Sequence, residues 1–166
     1  MSERIDSVNG RVDEPCRLCS DSISTGAQTN GLVDVCNTEA MISWSSIMKA
    51  CGDENLVKEI VEIFLDDAPR SLELAAGAIE AGDPEGVKLY AHRLKGAARH
   101  VAAIKLSEKA YCLERASREK DMAIAARLFE QVRDEFEKVV SFLSQSDWIE
   151  RAKQLENQQT KQNIRQ

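Results

Sequence analysis

Aromatic residues make up only 5% of this chain, and three prolines and eight glycines are spread over its 166 residues. So little turn chemistry argues against a fold made of many tight hairpins. No apolar run approaches the roughly 18–20 residues that a membrane span needs, so no membrane insertion is expected. Met1 to Glu14 contain no apolar stretch of the kind that makes a secretory signal. The five cysteines are odd in number and too sparse for a disulfide scaffold, which predicts free thiols in a reducing, cytoplasmic setting. Positive charge is in deficit, with 22 Lys and Arg against 28 Asp and Glu, a net charge of -6. A nucleic-acid binder would need a broad basic face, so that class is set aside. No glycine-rich nucleotide loop of the kind a kinase needs occurs, and no alternating βαβ pattern suggests an attached α/β domain.

What the chain does have is Leu, Ala, Glu, Lys and Arg through its middle, a composition that favours helices. Residues 1–37 are rich in Ser, Asn, Gly, Thr and Asp without apolar period, and are expected to be a disordered leader. The Cys16-x-x-Cys19 pair within it lacks a second ligand pair and a βαβ context. It is therefore expected to be two unpaired thiols rather than a zinc or redox site. From Glu39 to Ala50, Met41, Trp44, Ile47 and Met48 recur at helical spacing. A long helix is predicted from Asp53 to about Ala81, with the stripe Leu56, Ile60, Phe64, Ala68, Leu72, Ala76 and Ile79. Pro69 lies inside it and is expected to kink the helix without ending it. Gly82-Asp83-Pro84 reads as stop, cap and restart.

The next helix is predicted to reach Arg118, with Val87, Ala91, Leu94, Ala98 and Val101, then Leu106, Ala110 and Leu113, facing the core. The five-residue step from Val101 to Leu106 predicts a bend or break near Ala102 to Lys105. Asp121 caps a last helix to about Ser144, whose stripe is Ile124, Ala125, Leu128, Val132, Phe136, Val139 and Leu143. Residues 146–166 turn polar and are expected to be a frayed helix or a disordered tail. The sum is an all-α antiparallel four-helix bundle over residues 38–145, with a short additional N-terminal helix and no need of a partner to fold.

The segment from Tyr90 to Arg99 carries the chemistry. At about 100° per residue, His92 points roughly 130° away from the centre of the core stripe and so faces solvent. Lys88 lies at i-4, Lys95 at i+3 and Arg99 at i+7, three cations that make a local anion site in an acidic protein. A neutral imidazole, with a reference pKa of about 6.5, is a good nucleophile near neutrality. Gly96 sits beside it at i+4. A glycine inside an exposed helix costs about 1 kcal/mol relative to alanine, which suggests room left for an approaching partner, continued by Ala97. His100, about 80° around the helix, lacks this setting and is read as a surface or boundary residue. With two histidines, neither three residues after a glutamate, the ligand set of a di-iron bundle is missing.

The run Ala91-His92-Arg93-Leu94-Lys95-Gly96-Ala97-Ala98 closely resembles the signature of the histidine phosphotransfer (HPt) family. Gly52-Asp53, Phe64-Leu65-Asp66-Asp67-Ala68-Pro69, Ala78 to Asp83, Leu106 and Leu113-Glu114 resemble its flanks, so the likeness covers about Met41 to Leu143. The resemblance implies His92 as phosphoacceptor, Lys95 as the group steadying the phosphoryl charge and Gly96 as the clearance. It implies a relay that accepts phosphate from a receiver-domain aspartate and passes it to another receiver, with a hybrid sensor histidine kinase upstream. The Mg²⁺ would belong to the receiver, so no cofactor or metal of the chain's own is implied. Lys88, Arg99 and Ala97 are candidate partner contacts; Arg99 and His100 are not fixed family positions and take no role from the resemblance. The chain departs from the family at Ala102, where glycine is usual. A module of this fold that only sequesters or scaffolds a receiver is the alternative, and a monomer is expected in either case.

Overall fold

The computed structural model describes residues 41–163, and the leader with Cys16 and Cys19 lies outside them. Six helices follow in order: α1 Trp44–Cys51, α2 Glu54–Glu80, α3 Pro84–His100, α4 Ile104–Arg118, α5 Met122–Leu143 and α6 Trp148–Asn163. The fold is all-α, a four-helix bundle of α2 to α5 with additional helices at both ends. Among the described residues, no helix is long and apolar enough to cross a membrane.

Local chemistry sets the helix boundaries. Ser43, Asp53, Asp83 and Asp121 each cap a helix by accepting a bond from a backbone N–H of its first turn. The cap at Ser43 starts α1 five residues later than the apolar pattern suggests. α2 continues through Pro69 without a break. Of the bend or break predicted in the third helix, the structure shows the break: α3 ends at His100 and α4 opens at Ile104.

Three of the junctions use one device. After α2, Gly82 N–H bonds Ile79 O while Asp83 N–H bonds Ala78 O; after α3, Ala102 bonds Arg99 and Ala103 bonds Ala98; after α4, Lys120 bonds Ser117 and Asp121 bonds Ala116. This paired arrangement is the Schellman motif, which places its C′ residue in left-handed backbone. Gly82 (φ 65°) adopts that geometry without a Cβ penalty, whereas Ala102 (φ 53°) and Lys120 (φ 58°) do not have that freedom.

The core confirms the α3 and α4 faces: Val87, Ala91, Leu94, Ala98, Val101, Leu106, Ala110 and Leu113 are all buried. The stripes of α2 and α5 need rotating. Val57 and Val61, rather than Leu56 and Ile60, are the buried residues at the start of α2, and Leu56 is exposed. In α5, Phe129 and Phe142 join the core while Ile124 is exposed. Each helix offers apolar residues on adjacent positions, and contact with its neighbours selects between them.

The largest departure is the C-terminus. A frayed helix or disordered tail is expected there, yet α6 is a helix with Trp148, Ile149 and Ala152 buried. Its anchor is α1: Trp148 meets Trp44 edge-on at 6.3 Å between ring centroids. Lys153 lies 4.7 Å from the Trp44 ring centre and 2.8 Å from Glu54. Glu156 accepts bonds from the Ser45 backbone N–H (2.9 Å) and hydroxyl (2.6 Å).

Candidate functional site

α3 and α4 carry eight Lys and Arg against three Asp and Glu, whereas α2 carries two against seven. The basic helices are the pair that bears His92. Core packing of Ala91 and Leu94 turns the intervening residues outward, and the His92 side chain is 65% exposed.

One buried side chain organises the site. Glu114 of α4 is almost wholly enclosed, with only 2% of its side chain exposed. Its Oε1 lies 3.2 Å from His92 Nδ1 and 2.5 Å from an Arg118 guanidinium nitrogen, and its Oε2 accepts from Lys95 Nζ at 2.6 Å. Burial raises the pKa of this carboxyl. The hydrogen bonds from Lys95 and His92 and the charges of Lys95 and Arg118 outweigh burial, and the pKa lies below its ordinary 4.5. Near neutral pH the group is a carboxylate, which only accepts hydrogen bonds. His92 Nδ1 must therefore carry the proton, leaving the lone pair of the neutral ring on Nε2.

The other sequence-derived residues fall around this centre. Lys95 is held inside the cluster, only 17% exposed, with its ammonium 5.4 Å from the Tyr111 ring centre. Lys88 pairs with Glu85 at 2.7 Å and lines a depression of about 640 Å³ with Leu89, His92, Glu114 and Arg118. Gly96 borders open space: a Cβ built there meets nothing within 4 Å. Ala97 lies on the other flank of α3, in a second depression with Asp67, Arg70, Leu74 and Arg93. Arg99 and His100 are exposed at the end of α3. The structure thus gathers His92, Lys95 and Lys88 on the α4 side and sets Ala97 toward α2.

In the sequence, Glu114 matches the family pattern without a role attached to it, and Arg118 and Tyr111 stand outside that pattern. A helical signal was present, since Tyr111, Glu114 and Arg118 share one face of α4 at spacings of three and four. Nothing in the sequence tells that this face meets His92. Among the described residues, no group of three or more His, Cys, Asp or Glu is placed to hold a metal ion.

Residues 59–142 match the model of the Hpt domain, just over half of the chain. The chain belongs to the Hpt, or histidine-containing phosphotransfer, domain family of two-component phosphorelays. Among solved structures, it is similar to histidine-containing phosphotransfer protein B from Pseudomonas aeruginosa PAO1. The two are 26% identical with a TM-score of 0.54, over 61% of this chain and 86% of that one. A rice protein described as a histidine-containing phosphotransfer protein aligns at 22% identity and a TM-score of 0.56, covering 73% of this chain and 87% of its own. The maize histidine-containing phosphotransfer protein ZmHP2 aligns at 23% and 0.55, covering 72% and 88%. The two plant likenesses speak for the fold alone. Among curated proteins, none matches the chain significantly. Membership in the Hpt family supports a phosphorelay role in general, with receiver domains and hybrid kinases as the kind of partner.

Proposed function

We propose that this Hpt protein is a phosphorelay intermediate that takes a phosphoryl group from a receiver-domain aspartate onto His92 and passes it to a second receiver. The observation that carries the reading is an exposed imidazole whose Nδ1 is tied to a buried carboxylate. In the acceptor step, the Nε2 lone pair attacks the phosphorus of the aspartyl phosphate. The P–O bond breaks, and its electrons leave on the receiver's carboxylate. Nδ1 keeps its proton, the ring becomes cationic, and that charge lies against Glu114. In the donor step an aspartate oxygen attacks phosphorus, and the P–N electrons return to Nε2. No proton moves in either direction, so the chain supplies position and charge balance, and the receiver supplies Mg²⁺.

Lys95 and Arg118 balance the phosphoryl charge, Gly96 leaves room for the receiver's backbone, and Lys88, Arg99 and Ala97 lie at the contact surface. The working domain is the bundle over residues 38–145, acting as a monomer in the cytoplasm. Incubation with a phosphorylated receiver should place acid-labile, base-stable phosphate on His92. Label retained by His92→Gln would overturn the assignment, and receiver binding without any label on the wild type would favour a sequestering module.

A further inference from the structure

Lys95 is a flexible side chain on an exposed helix, yet it is held at one place. Glu114 Oε2 takes its ammonium at 2.6 Å, and the Tyr111 ring faces the same ammonium at 5.4 Å. Glu114 alone does not confine it, because that carboxylate also serves His92 and Arg118 through Oε1. When phosphorylation adds negative charge next to Glu114, the balance of pull on the ammonium changes, whereas an aromatic face keeps its attraction. Tyr111 lies one turn before Glu114 on the same face of α4, and it is half-buried, so the ring has limited freedom itself.

We propose that Tyr111 is a positioning residue for phosphotransfer, acting through the ammonium of Lys95. The inference rests on the reading of His92 as phosphoacceptor. A cation fixed in place before reaction needs no reorganisation as charge develops on the phosphoryl group, while a loose lysine does. Tyr111 therefore affects the rate of transfer at saturating receiver rather than receiver affinity. The attraction resides in the ring and not in the hydroxyl, so phenylalanine substitutes for it.

A double-mutant cycle with Lys95 tests this in single-turnover transfer from a phosphorylated receiver. Tyr111→Leu should slow transfer at saturating receiver by about two- to fivefold, with the half-saturating receiver concentration unchanged. Tyr111→Phe should restore the wild-type rate. In a Lys95→Met background, Tyr111→Leu should have no further effect, because the group it positions is gone. An equal slowing by Tyr111→Leu with and without Lys95 would overturn the inference, since loss of packing acts regardless of the lysine. So would a loss of affinity with an unchanged maximal rate. A wild-type protein that takes no label on His92 would instead remove the underlying phosphoacceptor reading.

Discussion

At the scale of single residues, Glu114 joins stability to the proposed chemistry of His92. Its carboxylate is enclosed while two of its three partners, His92 and Arg118, are more than half exposed. Replacing it by glutamine leaves Lys95 and Arg118 without their counter-charge and should cost about 2–3 kcal/mol in chemical denaturation. Its depressed pKa also gives a pH signature. The folded state binds this proton less readily than the unfolded chain does. Its contribution is therefore fully present above the ordinary value of 4.5 and is lost as pH falls below that toward the folded-state pKa. Glu114→Gln should flatten the acid limb of the stability curve, and an unchanged limb would remove the carboxylate from that role. Gly96 offers the opposite test. Because an added methyl meets nothing within 4 Å, Gly96→Ala should raise stability by about 1 kcal/mol. Gly96→Leu should leave the bundle folded and weaken receiver binding, as titration of a labelled receiver would detect.

At the scale of elements, the junctions between helices carry measurable strain. Ala102 and Lys120 hold left-handed backbone that glycine adopts without cost, and both do so inside Schellman caps. Ala102→Gly and Lys120→Gly should each stabilise the protein by about 0.5–1 kcal/mol, read as a higher urea midpoint. No gain at either would mean that the flexibility glycine gives the unfolded chain cancels the relief. Ala102 also accepts a bond from Ser43 N–H at 3.2 Å, so the α3–α4 break is the point to which the chain entering α1 is fastened. α6 is the element whose stability is least evident from its own sequence. Its outer positions are glutamine- and asparagine-rich, and its hold depends on the burial of Trp148, Ile149 and Ala152, with Trp148 against Trp44 of α1. Trp148→Ala should cost about 3 kcal/mol by thermal or urea unfolding. Labelling of His92 should persist wherever the variant remains folded.

At the scale of the whole molecule, charge is segregated although the net charge is only -6. The helices that bear and flank His92 are basic, and α2 is acidic. Such a separation orients the molecule as it meets an acidic receiver pocket. Association with a receiver should therefore slow by about tenfold between low and high salt, while the rate within the complex changes little. Equal association rates at both salt concentrations would discard the steering argument. The helices α1 and α6 lie outside the matched 59–142 span, so the family pattern describes the bundle and not its two additions.

Local physics was enough for much of this. The alternation of Val87, Ala91, Leu94 and Ala98 with polar neighbours by itself turns His92 outward, because a helix fixes directions within a few residues of itself. The Gly82-Asp83-Pro84 junction and the break after Val101 were legible for the same reason. Three decisions belonged to tertiary structure. Packing chose Val57 and Val61 over Leu56 and Ile60, since the sequence offered apolar residues on both positions. It docked α6 on α1, because burial of three side chains outweighs a polar composition. And it brought Glu114, 22 residues away from His92, within 3.2 Å of its Nδ1. The rotation of one helix against another depends on contacts that no single helix encodes.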